Sequence, residues 1–282
     1  MLKRILWSLM ALGLVSGVGL VGCGTPEPQE VSIAFKAMIG DKAAACGETY
    51  EKFGTGSSSV ELVDLRFYVS NVRLVTEDDK EVPVTLNADG KWQDSKVTLL
   101  DFENGTGKCA DKGTKDTNLK VVGTATPGTY KGIRFDIGVP FDVNHNDPAK
   151  ASAPLNVLPL HWSWLGGYKF VRIDLKSSKF DKNYLFHLGS TGCKEDDNKK
   201  VTACSEGNRP SIELMGGDPT QKTVVLDVAK LLKSNNTDSP TPNTAPGCMS
   251  GQKDPDCKGI FTSLGLKHSD NSAGAQSAFS LQ

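Results

Sequence analysis

The sequence lacks the short motifs by which the commonest enzyme folds are recognised. It has no Gly-x-Ser-x-Gly elbow, since Ser190 lies in Gly189-Ser-Thr-Gly192, and it has neither a phosphate-binding loop nor a dinucleotide fingerprint. No two cysteines have Cys-x-x-Cys spacing, which argues against a cysteine-rich metal cluster. The net charge at pH 7 is only −1, so electrostatics gives no reason to bind nucleic acid. We therefore expect no enzymatic activity and no nucleic-acid partner.

The amino terminus has the layout of a secretory signal. Lys3 and Arg4 precede an apolar run over residues 5–20, which is too short and glycine-rich to favour a membrane span. The run ends in Leu20-Val21-Gly22-Cys23, a pattern typical of a bacterial lipobox. The alternative is an ordinary signal peptide followed by a chance cysteine. The sequence predicts a signal peptide at residues 1–22, a lipidated tether at 23–30 and one domain at 31–282.

Lipidation of Cys23 would fix the place of the protein in the cell. A multiply acylated cysteine gives stable membrane anchoring, which a single acyl chain does not. Gly24 follows Cys23 where an inner-membrane retention signal would have Asp. We therefore predict an exported lipoprotein, periplasmic or at the cell surface, with the outer membrane favoured.

Six further cysteines occur in the mature chain, and an even number in an exported protein indicates disulfides. Spacing suggests two short staples and one long-range link. The predicted pairs are Cys193–Cys204, Cys248–Cys257 and Cys46–Cys109.

Many short segments alternate apolar and polar residues, which is typical of strands with one buried face. Clear examples are residues 31–35, 133–139, 171–175 and 224–228. Only Val228–Leu232 looks helical. The sequence thus predicts an all-β fold, an antiparallel β-sandwich with long loops and disulfide staples. Two loops are long, residues 140–167 and 234–259, and loops of that length are usually functional or disordered.

Residues 140–167 hold two of the four histidines and two of the four tryptophans, so we take this segment as the candidate site. His145 and His161 lie within it, and His187 lies in a nearby strand segment. Imidazole ligands suit copper and zinc. His268, in the polar tail, is expected to be solvated. A lone histidine is more often structural than a ligand, and the default interpretation of Trp162 and Trp164 is core packing. A calcium loop starting at residue 142 is a further alternative, but it lacks its glycine and closing acid.

Several motifs together resemble the MbnP family. They include Phe67-Tyr-Val-Ser-Asn71, Asn144-His145-x-Asp147-Pro, Trp162-x-Trp164-x-x-Gly167-Tyr168-Lys169-Phe170 and Phe186-His187-Leu-Gly189, in this order. Members are "metallo-mystery pair" four-Cys proteins, related to the CorA and MopE copper proteins of methanotrophs. The resemblance covers nearly the whole mature chain, although six cysteines beyond Cys23 differ from the "four" of the family name.

The resemblance implies a copper-binding β-sandwich. It also implies that a partner dihaem enzyme of the MauG/cytochrome c peroxidase type, MbnH, oxidises one tryptophan to kynurenine. By position, His145 and His187 are the implied copper ligands and His161 is an additional candidate. The implied modified residue is Trp164 or Trp162, with Trp164 preferred.

A different class of function is also compatible with the sequence. The aromatic loop could contact a glycan or protein partner, and the histidines would then be core or turn residues. In that case the protein would be a non-catalytic binding or structural module of the cell envelope without a metal.

Overall fold

The computed structural model describes residues 26–111, 113–269 and 274–282. The predicted signal peptide and the predicted lipidation at Cys23 lie outside the described residues, and both stay predictions. Within the described ranges, no helix is long and apolar enough to cross a membrane.

The described residues form mainly strands, as the alternating sequence pattern predicts. In chain order the strands are β1 (Gln29–Ile39), β2 (Lys42–Ala43), β3 (Thr49–Phe53), β4 (Ser58–Thr76), β5 (Glu81–Pro83), β6 (Thr85–Leu86), β7 (Val97–Asp101), β8 (Lys120–Ala125), β9 (Tyr130–Ile137), β10 (His161–Ser163), β11 (Gly167–Tyr168), β12 (Val171–Ser177), β13 (Asn183–Leu188), β14 (Thr191–Glu195), β15 (Val201–Glu206), β16 (Ser211–Met215), β17 (Thr223–Asp227), β18 (Gly247–Cys248) and β19 (Phe279–Leu281).

Two large sheets and two hairpins contain these strands. One sheet has the order β19-β17-β1-β8-β6, with β2 paired to β1. The other has the order β16-β9-β4-β12-β13-β18, and β3, β5 and β7 also pair with the long strand β4. The hairpins β10–β11 and β14–β15 form small two-stranded sheets of their own.

The two large sheets pack face to face through alternating apolar side chains. Along β1 the buried residues Ile33 and Phe35 alternate with exposed ones. Phe35 of one sheet contacts Phe67 and Phe135 of the other, with ring centroids 6.3 and 5.6 Å apart. Since buried aromatic surface contributes strongly to core stability, these contacts join the sheets into one sandwich. The predicted all-β sandwich is therefore confirmed.

The strand pairing is not wholly antiparallel. β1 runs parallel to β17, and β13 runs parallel to β18. Parallel neighbours require long crossover connections, and the long chain segments between these partners supply them. Period-two alternation is the same for either direction, so the sequence pattern could not reveal the difference.

In the part of the chain that the structure describes, three α-helices accompany the sheets: α1 (Phe141–Asn144), α2 (Val228–Leu231) and α3 (Pro255–Leu264). Residues 107–109 and 158–160 form short 3-10 helices. The prediction of a structureless stretch over 234–259 is wrong at its end, where α3 begins. The Asp254 carboxylate caps this helix by accepting from the Asp256 N–H, Pro255 fits its first turn, and Gly265 ends it at φ 75°.

The expectation of a solvated His268 is also wrong. His268 is buried against Phe261, with ring centroids 5.9 Å apart. Its Nε2 lies 3.2 Å from the carbonyl oxygen of Asp254, so the tail folds back onto the start of α3.

The three predicted disulfides are present. Cys46 pairs with Cys109 across 63 residues, Cys193 with Cys204 across 11, and Cys248 with Cys257 across 9. The last of these joins β18 to α3. Each cross-link restricts the unfolded chain and so stabilises the fold.

Candidate metal centre

The β10–β11 hairpin carries the two tryptophans and His161. Its two strands pair His161 with Tyr168 and Ser163 with Gly167. Gly167 has φ 74°, and a Cβ there would lie 2.5 Å from Asn144 Nδ2, so only glycine fits this turn. The Asn144 side chain accepts a hydrogen bond from the Tyr168 N–H at 3.0 Å. Asn144 thereby joins the hairpin to α1, the helix that precedes His145.

Trp162 packs over the end of β13. A Cβ on Gly189 would lie 2.5 Å from Trp162 Cζ3, so a larger residue at position 189 would clash with the indole ring. The Trp162 ring centroid is 6.5 Å from that of His187. Trp162 is half-buried, whereas Trp164, beyond the end of β10, is exposed over 42% of its surface. The two tryptophans therefore do not share one environment.

His187 is buried on β13 and is oriented by a carboxylate. Its Nε2–H donates to Asp174 Oδ1 at 2.7 Å, and its Nδ1 is buried without a hydrogen-bond partner. Asp174 in turn accepts from Arg172 Nε and Nη2 at 2.9 and 2.7 Å. A carboxylate behind one ring nitrogen fixes the histidine tautomer and leaves the other nitrogen as a ligand atom.

The electrostatics keep His187 neutral and Asp174 ionised. Burial lowers the pKa of His187, although the Asp174 hydrogen bond opposes that change. Burial would raise the pKa of Asp174, but the hydrogen bond from His187 and the charge of Arg172 together hold it below its ordinary value. A neutral imidazole beside a carboxylate is the state that binds a metal ion.

His161 and His187 line the same cavity, which measures about 600 Å³. His161 Nε2 is buried without a hydrogen-bond partner, and burial lowers the pKa of this histidine. Its ring packs edge-on against Tyr168 with centroids 5.0 Å apart. The other polar side chains around the cavity are those of Lys169, Arg172, Asp174, Lys182 and Asn183. Two neutral imidazoles with unpartnered nitrogens fit a nitrogen-preferring metal such as copper or zinc.

His145 lies in a different cavity, of about 370 Å³, together with Trp164, Lys199 and Lys200. Its Nδ1–H donates to the Trp164 carbonyl oxygen at 3.0 Å. Its Nε2 is 3.2 Å from Asn144 Nδ2 and 3.6 Å from Cys204 Sγ. The structure thus brings together His161 and His187 around one cavity, and His145 and Trp164 around another.

Sequence reasoning missed the role of Asp174. Arg172 and Asp174 alternate on β12, and their pairing is an obvious possibility from sequence. The contact with His187 depends on the antiparallel register that sets Arg172 opposite His187. Only that register could have revealed it.

A buried charge network extends behind the site. Arg172 Nε lies 3.1 Å from Asp64 Oδ2, and Asp64 also accepts from Arg66 Nε at 2.8 Å. The network ends at Asp101 and Glu103, whose side chains are buried near Arg66. Its acids are Asp64, Asp101, Glu103 and Asp174, and its permanent cations are Arg66 and Arg172. Because the acids outnumber the cations, at least one acid is expected to be neutral.

Asp101 is that acid, and it gives a pH prediction. Burial raises the pKa of Asp101 from 3.8 to about 8. The positive charge of Arg66 opposes this change, and the negative charge of Glu103 adds to it. The unfolded chain loses this proton near pH 4 and the folded chain near pH 8, so ionisation progressively favours unfolding between those values. Asp101→Asn is expected to stabilise the protein, by more at pH 8 than at pH 5. Urea unfolding at both pH values measures this, and an equal gain at both would contradict it.

The chain is similar to known proteins over most of its length. The MbnP family model matches residues 28–250. Among solved structures, MbnP from Methylosinus trichosporium is 28% identical, with a TM-score of 0.79, and the match covers 90% of this chain and 98% of that one. Comparison with curated proteins finds no match. Because the family model spans well over half of the sequence, the chain belongs to the MbnP family.

Proposed function

We propose that this protein is an exported, non-catalytic copper-binding protein with its copper site in the cavity of His161 and His187. The observation that carries the proposal is His187, held by Asp174 through one ring nitrogen with the other unpartnered. A buried nitrogen without a partner costs free energy unless a ligand satisfies it. The unpartnered His161 Nε2 on the same cavity supplies a second ligand of the same kind.

Copper fits this donor set better than hard cations do. The cavity offers two neutral imidazoles, while its single carboxylate is engaged by His187 and Arg172. Calcium and magnesium prefer several oxygen ligands, whereas imidazoles suit copper, zinc and nickel. Among these three metals, membership in the MbnP family favours copper, because copper binding is what the family resemblance implies. When bound, copper would satisfy the two ring nitrogens and link β10 to β13.

The proposed third ligand is a kynurenine formed from tryptophan. An indole N–H only donates and cannot ligate a metal. Two equivalents of hydrogen peroxide, the oxidant of a peroxidase-type partner, would cleave the C2–C3 bond of the indole, add two oxygen atoms and be reduced to water. Hydrolysis would then release C2 as formate and free an aromatic amine that can bind a metal. Trp162 is favoured for this role because its ring lies 6.5 Å from that of His187, although Trp162 itself lines a different cavity, of about 500 Å³. Trp164, preferred from sequence, contacts His145 through its carbonyl oxygen instead.

The enzyme proposed, from the family resemblance, to catalyse this oxidation is a dihaem enzyme of the MauG/cytochrome c peroxidase type, MbnH. Such an enzyme must remove electrons through the surface of its substrate protein. Trp164 is exposed over 42% of its surface and lies two residues from Trp162. It would therefore be the residue through which electrons pass from Trp162 to the haem enzyme. Trp164 is then needed for the reaction without being the residue that is modified.

Export and lipidation are part of the same proposal. Three disulfides require an oxidising compartment, and the lipobox at Leu20–Cys23 supplies the route. An outer-membrane anchor would hold the site where a periplasmic haem enzyme can reach it.

Mass spectrometry identifies the modified tryptophan. Protein coexpressed with the dihaem partner is expected to acquire the kynurenine mass at Trp162. Trp162→Phe should abolish the modification and lower copper affinity by about 10-fold or more, since a ligand is lost. Trp92→Phe, which changes a tryptophan outside both cavities, is the matched control and should leave the modification intact.

Other outcomes separate the competing assignments. Kynurenine at Trp164 in the wild type would support the site implied by the resemblance, with His145 as a ligand. Absence of kynurenine at every tryptophan would contradict the modification. Unchanged copper affinity after loss of both cavity histidines would favour the metal-free binding module.

A further inference from the structure

We propose that reduction of the Cys193–Cys204 disulfide creates a second copper site with His145, separate from the cavity of His161 and His187. One ligand atom from each of the three residues lies within 4.8 Å of the other two. The site would take Cu(I), because soft thiolate ligands select that ion. It would exist only in the reduced protein, since a disulfide sulfur is a poor ligand.

The histidine is already oriented for this role. The Nδ1–H of His145 donates to the Trp164 carbonyl oxygen, so the lone pair is on Nε2, which lies 3.6 Å from Cys204 Sγ. Zinc, which shares these ligands, has bonds of about 2.0–2.3 Å to nitrogen and sulfur, so neighbouring ligand atoms lie about 3.5–4 Å apart. The observed separation is already in that range. A bound metal would replace the weak contact from Asn144 Nδ2 at 3.2 Å.

A reductant can reach this disulfide more easily than the other two. Cys248 and Cys257 are both buried, and the Cys46–Cys109 bridge joins a half-buried cysteine to a buried one. Cys193 and Cys204 are both half-buried. Cys193 also lines a cavity of about 500 Å³ on the Trp162 side of the hairpin. The half-buried pair is therefore expected to be reduced first.

The hairpin keeps the two sulfurs together after reduction. Cys193 and Cys204 are paired across β14 and β15, between the neighbouring pairs Thr191–Glu206 and Lys194–Ala203. This backbone pairing does not depend on the disulfide. The hairpin is also a separate two-stranded sheet, so small shifts of its strands need not disturb the sandwich.

The chemistry balances with a dithiol as reductant. The dithiol gives two electrons and two protons; the Cys193–Cys204 bond breaks, two thiols form, and the reductant becomes a disulfide. Binding of Cu(I) then releases the two thiol protons. A dithiol that reduces this one disulfide would thus increase the copper capacity of the protein.

Anaerobic titration with Cu(I) against a chromogenic chelator tests the proposal. The protein is compared as isolated and after reduction with a phosphine that is removed by anaerobic desalting before copper is added, since a phosphine would itself bind Cu(I). Reduced wild type is expected to bind one more Cu(I) than oxidised wild type and to show copper–sulfur scattering in X-ray absorption. Cys193→Ser/Cys204→Ser should lose the additional Cu(I), and His145→Gln should weaken it about 10-fold or more.

Two results would overturn the proposal. Reduction could add no Cu(I), or the additional Cu(I) could persist in Cys193→Ser/Cys204→Ser, which would assign it to other thiols. Cys248→Ser/Cys257→Ser is the matched control and should retain it. The copper site at His161 and His187 is measured separately, by comparing copper binding of oxidised wild type with that of oxidised His187→Ala. Failure of one proposal therefore does not imply failure of the other.

Discussion

Replacing His187 with alanine is expected to lower copper affinity of the oxidised protein by about 100-fold or more. The variant removes the ligand nitrogen that is buried and unpartnered, and loss of even an outer partner of a metal ligand typically costs about 10–100-fold. Asp174→Asn keeps the size of the side chain and removes the charge that orients His187. It should therefore lower copper affinity by about 10–100-fold. Competition titration with a copper chelator measures both.

His268→Gln is the matched control for His187→Ala. His268 is also buried, but it packs against Phe261 and lies outside the candidate cavities. Its replacement should leave copper affinity unchanged. If His187→Ala bound copper as tightly as His268→Gln does, His187 would not be a ligand. Thermal unfolding of both variants without copper separates loss of binding from loss of folding.

Arg66→Met is expected to lower the free energy of unfolding by about 3–5 kcal/mol. Arg66 is 2% exposed; it donates to Asp64 and lies 3.8 Å from Glu103. Burial lowers the pKa of an arginine, but the hydrogen bond and charge of Asp64 outweigh that effect, so the pKa of Arg66 is raised. Removing one partner of a buried ion pair leaves the other charges uncompensated.

Arg73→Met controls for the general effect of losing an arginine. Arg73 also lies on β4 and pairs with Glu81 and Asp136, but its side chain is 19% exposed. Ion pairs near the surface contribute about 0–1 kcal/mol, so this variant should be nearly neutral. Urea unfolding at pH 7 compares the two. A difference below about 1 kcal/mol would show that the buried acids do not depend on Arg66.

The sandwich was predictable because burial of one sheet face imposes a period of two along each strand. Phe135 and Ile173 lie in such segments, and both are core residues of the structure. Strand direction leaves no trace in that period, so the parallel pairing of β1 with β17 was not predictable. Helix α3 was missed because its capping residues, Asp254 and Gly265, resemble the turn residues of a polar loop.

The site was predictable in its residue types but not in its grouping. His161, His187 and Trp162 are recognisable as candidates from the sequence. Their proximity depends on the β10–β11 hairpin folding across β13, with Gly189 leaving room for the indole. The separation of His145 from His187 has the same origin, because α1 positions His145 beside Trp164 and the β14–β15 hairpin.

An anomalous difference map from crystals of copper-loaded, oxidised protein shows whether copper binds to His187 and His161. Data collected at the copper absorption edge locate the ion without assumptions about its ligands. We predict one strong peak within bonding distance of His187 Nδ1 and His161 Nε2, beside residue 162. A peak at His145, or no peak at either histidine of the cavity, would contradict the proposed copper site.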